Sequence, residues 1–286
     1  MLRIGTAGWQ YRDWEGIVYP RPKPRGFDPL SYLANFFDVV EINSSFYGPP
    51  QASTTRNWVV RVSDHPEFRF TAKLWKGFTH ERNANAADEK LFKEGMEPLS
   101  GAGRLGAILL QFPWSFRNEP ENRNYLRQLR DRFAEYPLVL EVRHRSWIEP
   151  DILDMLAELG VGLCNIDQPQ FHRSVKPAAH ATSVIGYVRL HGRNYKNWFS
   201  AKANVRERYD FLYSLDELEP WAGRIKALAE QTVDTYAVAN NHNLGKAVVN
   251  AFELTTLLLH NSVNPPPQLV EAYPELQNLT RSDGSS

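Results

Sequence analysis

Leu138-Val139-Leu140-Glu141-Val142-Arg143 is the stretch whose reading decides the fold, because its first residues are apolar without alternation and its charges gather toward the C-terminal end. A strand with one wet face alternates polar and apolar residues, whereas a run apolar on both faces belongs to a parallel sheet covered on both sides. Similar short runs occupy residues 2–5, 39–42, 68–73, 107–112, 161–166, 186–191 and 235–240, which makes eight with 138–143. Each is followed by a longer segment of helical periodicity. Strands alternating with helices imply parallel βα units, since a parallel pair needs a crossover. Eight such units in 286 residues predict an α/β protein closed into a single (β/α)8 barrel of the TIM type, not an open doubly wound sheet.

The intervening segments carry helix-start signals. Asp28-Pro29 and Glu149-Pro150 each put an acidic residue before a proline at the first helical position. Ser214-Leu215-Asp216-Glu217 reads as a capping box before an apolar stripe of Trp221, Ile225 and Leu228. No linker or repeat splits the chain, so residues 1–264 are expected to form the barrel. The proline-led polar tail 265–286 is expected to be loose.

Composition is that of an ordinary globular protein, with 23% charged and 42% hydrophobic residues. Lys and Arg total 33, as do Asp and Glu, which removes the bulk electrostatic argument for nucleic acid or an anionic membrane surface. The opening Met1-Leu2-Arg3-Ile4-Gly5-Thr6 has no basic region leading into a long apolar run, and no stretch approaches membrane-spanning length. A cytoplasmic protein with no membrane partner is expected. The single cysteine, Cys164, sits in an apolar run and reads as core, which leaves no internal disulfide and no cysteine zinc cluster. Gly101-Ala102-Gly103-Arg104-Leu105-Gly106 has dinucleotide-site glycines but precedes a strand instead of following one, and reads as a helix stop and turn. P-loop, His-Glu-x-x-His and Gly-x-Ser-x-Gly motifs are absent, and no cofactor is expected.

In a closed barrel the C-terminal strand ends point into one mouth, where barrel enzymes hold their chemistry. Strand parity pairs Glu41 with Asn43, Thr71 with Lys73, Glu141 with Arg143, Asn165 with Asp167, and Arg189 with His191, while Gln111 and Asn240-Asn241 end two further strands. Glu41, Glu141 and Asp167 balance Lys73, Arg143 and Arg189, so an ion-paired pocket able to recognise a phosphate, carboxylate or polyhydroxyl group is expected. The interleaved cations argue against a divalent metal, although His144 and His191 with Glu141 and Asp167 would be its natural donors. Glu141 and His191 suit general acid or base work, with Arg189 or Lys73 stabilising developing negative charge. Trp9, Tyr11, Trp14, Tyr47, His80, Trp147, Tyr195 and Trp198 fall in loops expected above the mouth, where rings stack on sugars or bases. For any single ring the competing role of packing anchor is the commoner one. The charges, too, have a bland alternative: a network that only closes the barrel.

Taken together, Gly5-Thr6-Ala7-Gly8-Trp9 through Trp14 and Tyr19-Pro20, Val40-Glu41-Ile42-Asn43-Ser44-Ser45-Phe46-Tyr47, Lys73 with Thr79-His80, Glu141-Val142-Arg143-His144-Arg145-Ser146-Trp147, Tyr187-Val188-Arg189-Leu190-His191-Gly192, and Asn240-Asn241 with Gly245, Ala247 and Asn250-Ala251 resemble the YecE-like family, domain of unknown function 72. The resemblance spans about residues 3 to 260, in the family's order, and implies a TIM barrel without implying an activity. Ala7 departs from a family serine, and Ser45 lies near a family threonine. Three functions stay open: a metal-independent acid/base enzyme (hydrolase, lyase or isomerase) on a phosphorylated or polyhydroxylated small molecule; a nucleic-acid-binding or nucleic-acid-processing barrel, which the neutral charge disfavours; and a non-catalytic ligand-binding protein.

Overall fold

A computed structural model describes residues 1–198, 200, 205–260 and 262–279. Eight parallel strands close on themselves in sequence order: β1 (Leu2–Ala7), β2 (Val39–Ile42), β3 (Arg69–Lys73), β4 (Leu105–Gln111), β5 (Leu138–Glu141), β6 (Gly162–Asp167), β7 (Ile185–Leu190) and β8 (Asp234–Ala239). The closing pair runs Leu2↔Thr235 to Thr6↔Ala239. All eight strands fall on the apolar runs of the sequence. Only Gly fits at position 5, because a Cβ there would lie 1.8 Å from the Val39 carbonyl oxygen.

Helices cover the outside, and their caps match the sequence signals. Asp28 accepts from the Leu30 and Ser31 amides, and Ser214 and Glu217 form a reciprocal capping box at Leu215–Ala229. Glu149 precedes Pro150 at the first helical position but makes no side-chain cap. The glycines at 101 and 103 end helix Ala86–Gly101 and turn the chain into β4, with Gly103 at positive φ.

The segment expected to be loose is packed over residues 265–279. Leu269 and Leu276 are fully buried, Gln268 donates to the Val18 carbonyl, and Tyr273 donates to that of Leu244. Two apolar residues at this spacing give the tail its own docking face; residues 280–286 lie outside the described residues. No described helix is long and apolar enough to cross a membrane.

Inside the barrel the parallel register puts partner residues on the same face. Below the mouth, Tyr187 and Tyr236 lie 5.9 Å apart, and the Tyr187 hydroxyl meets Thr71 Oγ1 at 2.7 Å and donates to Glu41 Oε2 at 2.9 Å. This aromatic plug is the floor on which the charged layer rests.

Candidate functional site

Arg189 organises the charged layer. It is fully buried at the end of β7, and its Nη2 donates to Glu41 Oε1 at 2.7 Å while its Nη1 donates to Glu141 Oε2 and, at 3.2 Å, to Gln111 Oε1. Glu141 Oε1 accepts from Arg143 Nη2 at 3.0 Å and pairs with His191 Nε2 at 3.1 Å. Burial alone would raise the Glu141 pKa; the charges of Arg189 and Arg143, with the hydrogen bond from His191, instead hold it well below the usual carboxylate value. His191 has its other nitrogen, Nδ1, 2.9 Å from Asn240 Nδ2. With Asn240 donating there, Nε2 carries the hydrogen that Glu141 accepts, and the ring is neutral. Burial lowers its pKa to about 3.

Lys73, at the end of β3, stands apart. Its Nζ lies 3.9 Å from Glu41 Oε1, the oxygen already taken by Arg189, and 5.7 Å from the centre of the Phe46 ring. Burial and then the Arg189 charge bring its pKa down to about 8. Two cavities open above this layer. One of about 280 Å³ is lined by Tyr11, Asn43, Phe46, Tyr47, Lys73, Gln111, Asn240 and His242; the other, of about 210 Å³, by Arg143 and Trp198. Arg208 and Tyr209 line both. Asn43 Oδ1 is buried without a hydrogen-bond partner. Trp198 lies over Arg143, 5.2 Å from its guanidinium carbon, and Tyr11 stacks on His242 at 4.4 Å.

The structure therefore gathers Glu41, Asn43, Lys73, Gln111, Glu141, Arg143, Arg189, His191 and Asn240 around one mouth, with Tyr11 and Tyr47 above them. His80 sits exposed at its edge, 4.9 Å from Phe46. Other residues expected there are elsewhere. Asp167 and Asn165 face outward, because the pairing Ile166↔Arg189 puts Cys164 and Ile166 inside. Asp167 Oδ2 accepts from Arg193 Nε at 2.8 Å, and Asn165 donates to the His180 carbonyl at 3.1 Å. Asn241 also points out of the barrel and donates to the Phe211 carbonyl and to Asn250 Oδ1. Trp9 packs edge-on to Trp58 between sheet and helix. Trp14 and Trp147 are fully buried anchors whose indole N–H groups donate to the His242 and Phe116 carbonyls. His144 turns away to Ser146 Oγ at 2.9 Å, and its Nδ1 accepts from the Ser146 amide at the start of a short 3-10 turn.

The expected charge balance is accordingly corrected. With Asp167 outside and Arg208 inside, among the described residues two carboxylates, Glu41 and Glu141, face four cations, Lys73, Arg143, Arg189 and Arg208. Arg208, Tyr209 and His242 were not legible as site residues, although His242 follows Asn240 at the spacing that returns to the same face and Arg208 lies in the loop after β7, where barrels build sites. Among the described residues no three His, Cys, Asp or Glu side chains gather as a metal site. Both mouth carboxylates already serve arginines, so this donor set fits an anion better than a cation.

A family model described as "Protein of unknown function DUF72" matches residues 3–272. "UPF0759 protein YunF" of Bacillus subtilis is 33% identical over 276 residues, covering 90% of this chain and 95% of that protein. Among solved structures, a DUF72 family protein from Thermotoga maritima superposes with a TM-score of 0.78 at 30% identity, covering 91% of this chain and 99% of the other. One from Enterococcus faecalis gives 0.79 at 24% identity, covering 93% and 98%, and shows the shared fold.

Proposed function

This chain belongs to the DUF72 family, and we propose that its barrel mouth binds, and acts on, a small molecule carrying a phosphate or carboxylate group. One observation carries the reading: among the described residues the mouth holds more cations than carboxylates, and the surplus lines the open space. Arg189 is consumed by Glu41 and Glu141, whereas Lys73, Arg143 and Arg208 border the cavities. Arginine forks match phosphate and carboxylate oxygens, and lysine adds a point charge. The rest of the lining suits a polyhydroxyl body: Asn43 Oδ1 lacks a donor, Gln111 and Asn240 offer amides, and Phe46 and Tyr209 offer faces for a carbon skeleton.

This reading reassigns the roles of Glu141, His191 and Arg189. Every oxygen of Glu141 is engaged, and the neutral imidazole of His191 is held at both nitrogens, so neither is poised to move a proton. Their task is to fix Arg143 and Asn240 at the cavity wall, where preorganised donors meet the ligand without reorganising. A thermal-shift comparison of matched pairs, such as a sugar phosphate against its parent sugar, tests the proposal. The phosphorylated member is expected to raise the melting temperature at low ionic strength and to lose much of that effect in high salt. Equal or absent shifts for both members would overturn it.

A further inference from the structure

We propose that Lys73 is an amine nucleophile which forms a covalent imine with an aldehyde or ketone whose phosphate or carboxylate is held by Arg143 and Arg208. The inference deepens the anion-site reading and rests on it. The chemistry starts from what Lys73 lacks. Lys23, Lys76 and Lys93 each meet a carboxylate oxygen within 2.9 Å at the surface. Among the described residues the Lys73 ammonium, walled in by the barrel, has only the 3.9 Å approach to an oxygen of Glu41 that already accepts from Arg189. No hydrogen bond from its Nζ is found among the described residues, and the side chain lines the larger cavity. A lysine desolvated beside another cation loses its proton readily, which is how amine nucleophiles are activated. Its pKa of about 8, set by burial and then by Arg189, leaves a useful neutral fraction near neutral pH.

The step balances. The neutral amine adds to the carbonyl carbon to give a carbinolamine; the former carbonyl oxygen leaves as water with one proton from nitrogen and one from solvent, and in the net reaction amine, carbonyl compound and one proton yield a protonated imine and water. That cationic imine then shares its surroundings with Glu41 on β2, Glu141 on β5 and the cations Arg143 and Arg189. Protonated His80 at the rim would add repulsion; partial desolvation of its ring, then Arg143 and Lys73, lower its pKa.

The test is borohydride trapping with peptide mapping, using glycolaldehyde phosphate against glycolaldehyde and pyruvate against acetone. The wild-type chain is expected to carry the reduced adduct on Lys73 in at least tenfold excess over any other lysine, and only with the charged probes. Trapping should reach half its maximal rate near pH 8, where an ordinary lysine needs about 10.5. Lys73→Arg should abolish the adduct, because a guanidinium is not an amine nucleophile. A thermal shift of the wild-type chain by inorganic phosphate with no preferential adduct at Lys73 would overturn the amine role and spare the anion site. No phosphate shift, together with equal labelling by charged and uncharged probes, would overturn the anion reading and this inference with it. The wild-type peptide map decides the matter even where the variant fails to fold.

Discussion

Replacing Glu141 by Gln removes the charge at the centre of the buried network while keeping the side chain's shape. Glu141 accepts from Arg143 Nη2 at 3.0 Å, from Arg189 Nη1, and from His191 Nε2 at 3.1 Å. A glutamine offers one carbonyl oxygen for these donors and turns its own N–H groups on the rest. Breaking a buried ion pair from one side costs about 3–5 kcal/mol, because the other charge is left without its counter-ion. Arg189 keeps Glu41 at 2.7 Å, so the lower end, about 3 kcal/mol, is expected. That corresponds to a melting temperature lower by about 5 °C in a chain of this size. Urea unfolding followed by circular dichroism reads it as a lower midpoint at unchanged slope. Asp131→Asn, which breaks the exposed pair with Arg130, is the control and should cost below about 1 kcal/mol. A loss for Glu141→Gln as small as the control's would refute the reasoning, since it would mean that water already screens the network.

Three further outcomes follow from the same geometry. Arg208→Ala should weaken inorganic phosphate about 10- to 100-fold in a binding titration, the worth of a charge-assisted hydrogen bond, and leave stability within about 0.5 kcal/mol. Trp147→Ala should cost about 3–5 kcal/mol in urea unfolding through the cavity it opens against Phe116, whereas Trp147→Phe should retain phosphate affinity, as befits an anchor outside the mouth. Stability should fall in acid: below pH 6.5 the unfolded chain takes up a proton that folded His191 refuses down to about pH 3, and below pH 4.5 it takes up another that Glu141 refuses. Each group adds a slope of about 1.4 kcal/mol per pH unit within its window, and that stability is fully present above pH 6.5. Histidine NMR checks it directly, and a His191 ring that titrates between pH 7 and 5 would contradict the neutral, doubly held imidazole.

The barrel was legible because its strands are apolar on both faces and separated by capped helices; Leu138–Glu141 carries that signature in miniature. The same property hid the phase of β6. All six of its residues are buried, so polarity cannot distinguish inward from outward, and Asp167 finds Arg193 on the far side. Strands β2, β3, β5 and β7 betrayed their phase through paired charged or polar ends that converge on the mouth. The aromatic loops were ambiguous in principle, because a tryptophan that stacks on ligand and one that fills a gap have the same sequence signal. Trp14 and Trp147 are anchors, while Tyr11 and Tyr47 reach the cavity. Arg208 stayed hidden because the loop after β7 carries no periodic pattern that fixes where it folds back. Its arrival, with the departure of Asp167, turns an expected neutral mouth into a cationic one.

Calorimetric titration of inorganic phosphate into the wild-type chain and into Arg143→Ala, at low and at high ionic strength, tests that charge surplus most directly. The account predicts one phosphate per wild-type chain, weakened by salt and weakened at least tenfold by the substitution. Wild-type protein that takes up no phosphate at low salt, or an Arg143→Ala variant that binds it as tightly, would contradict the account.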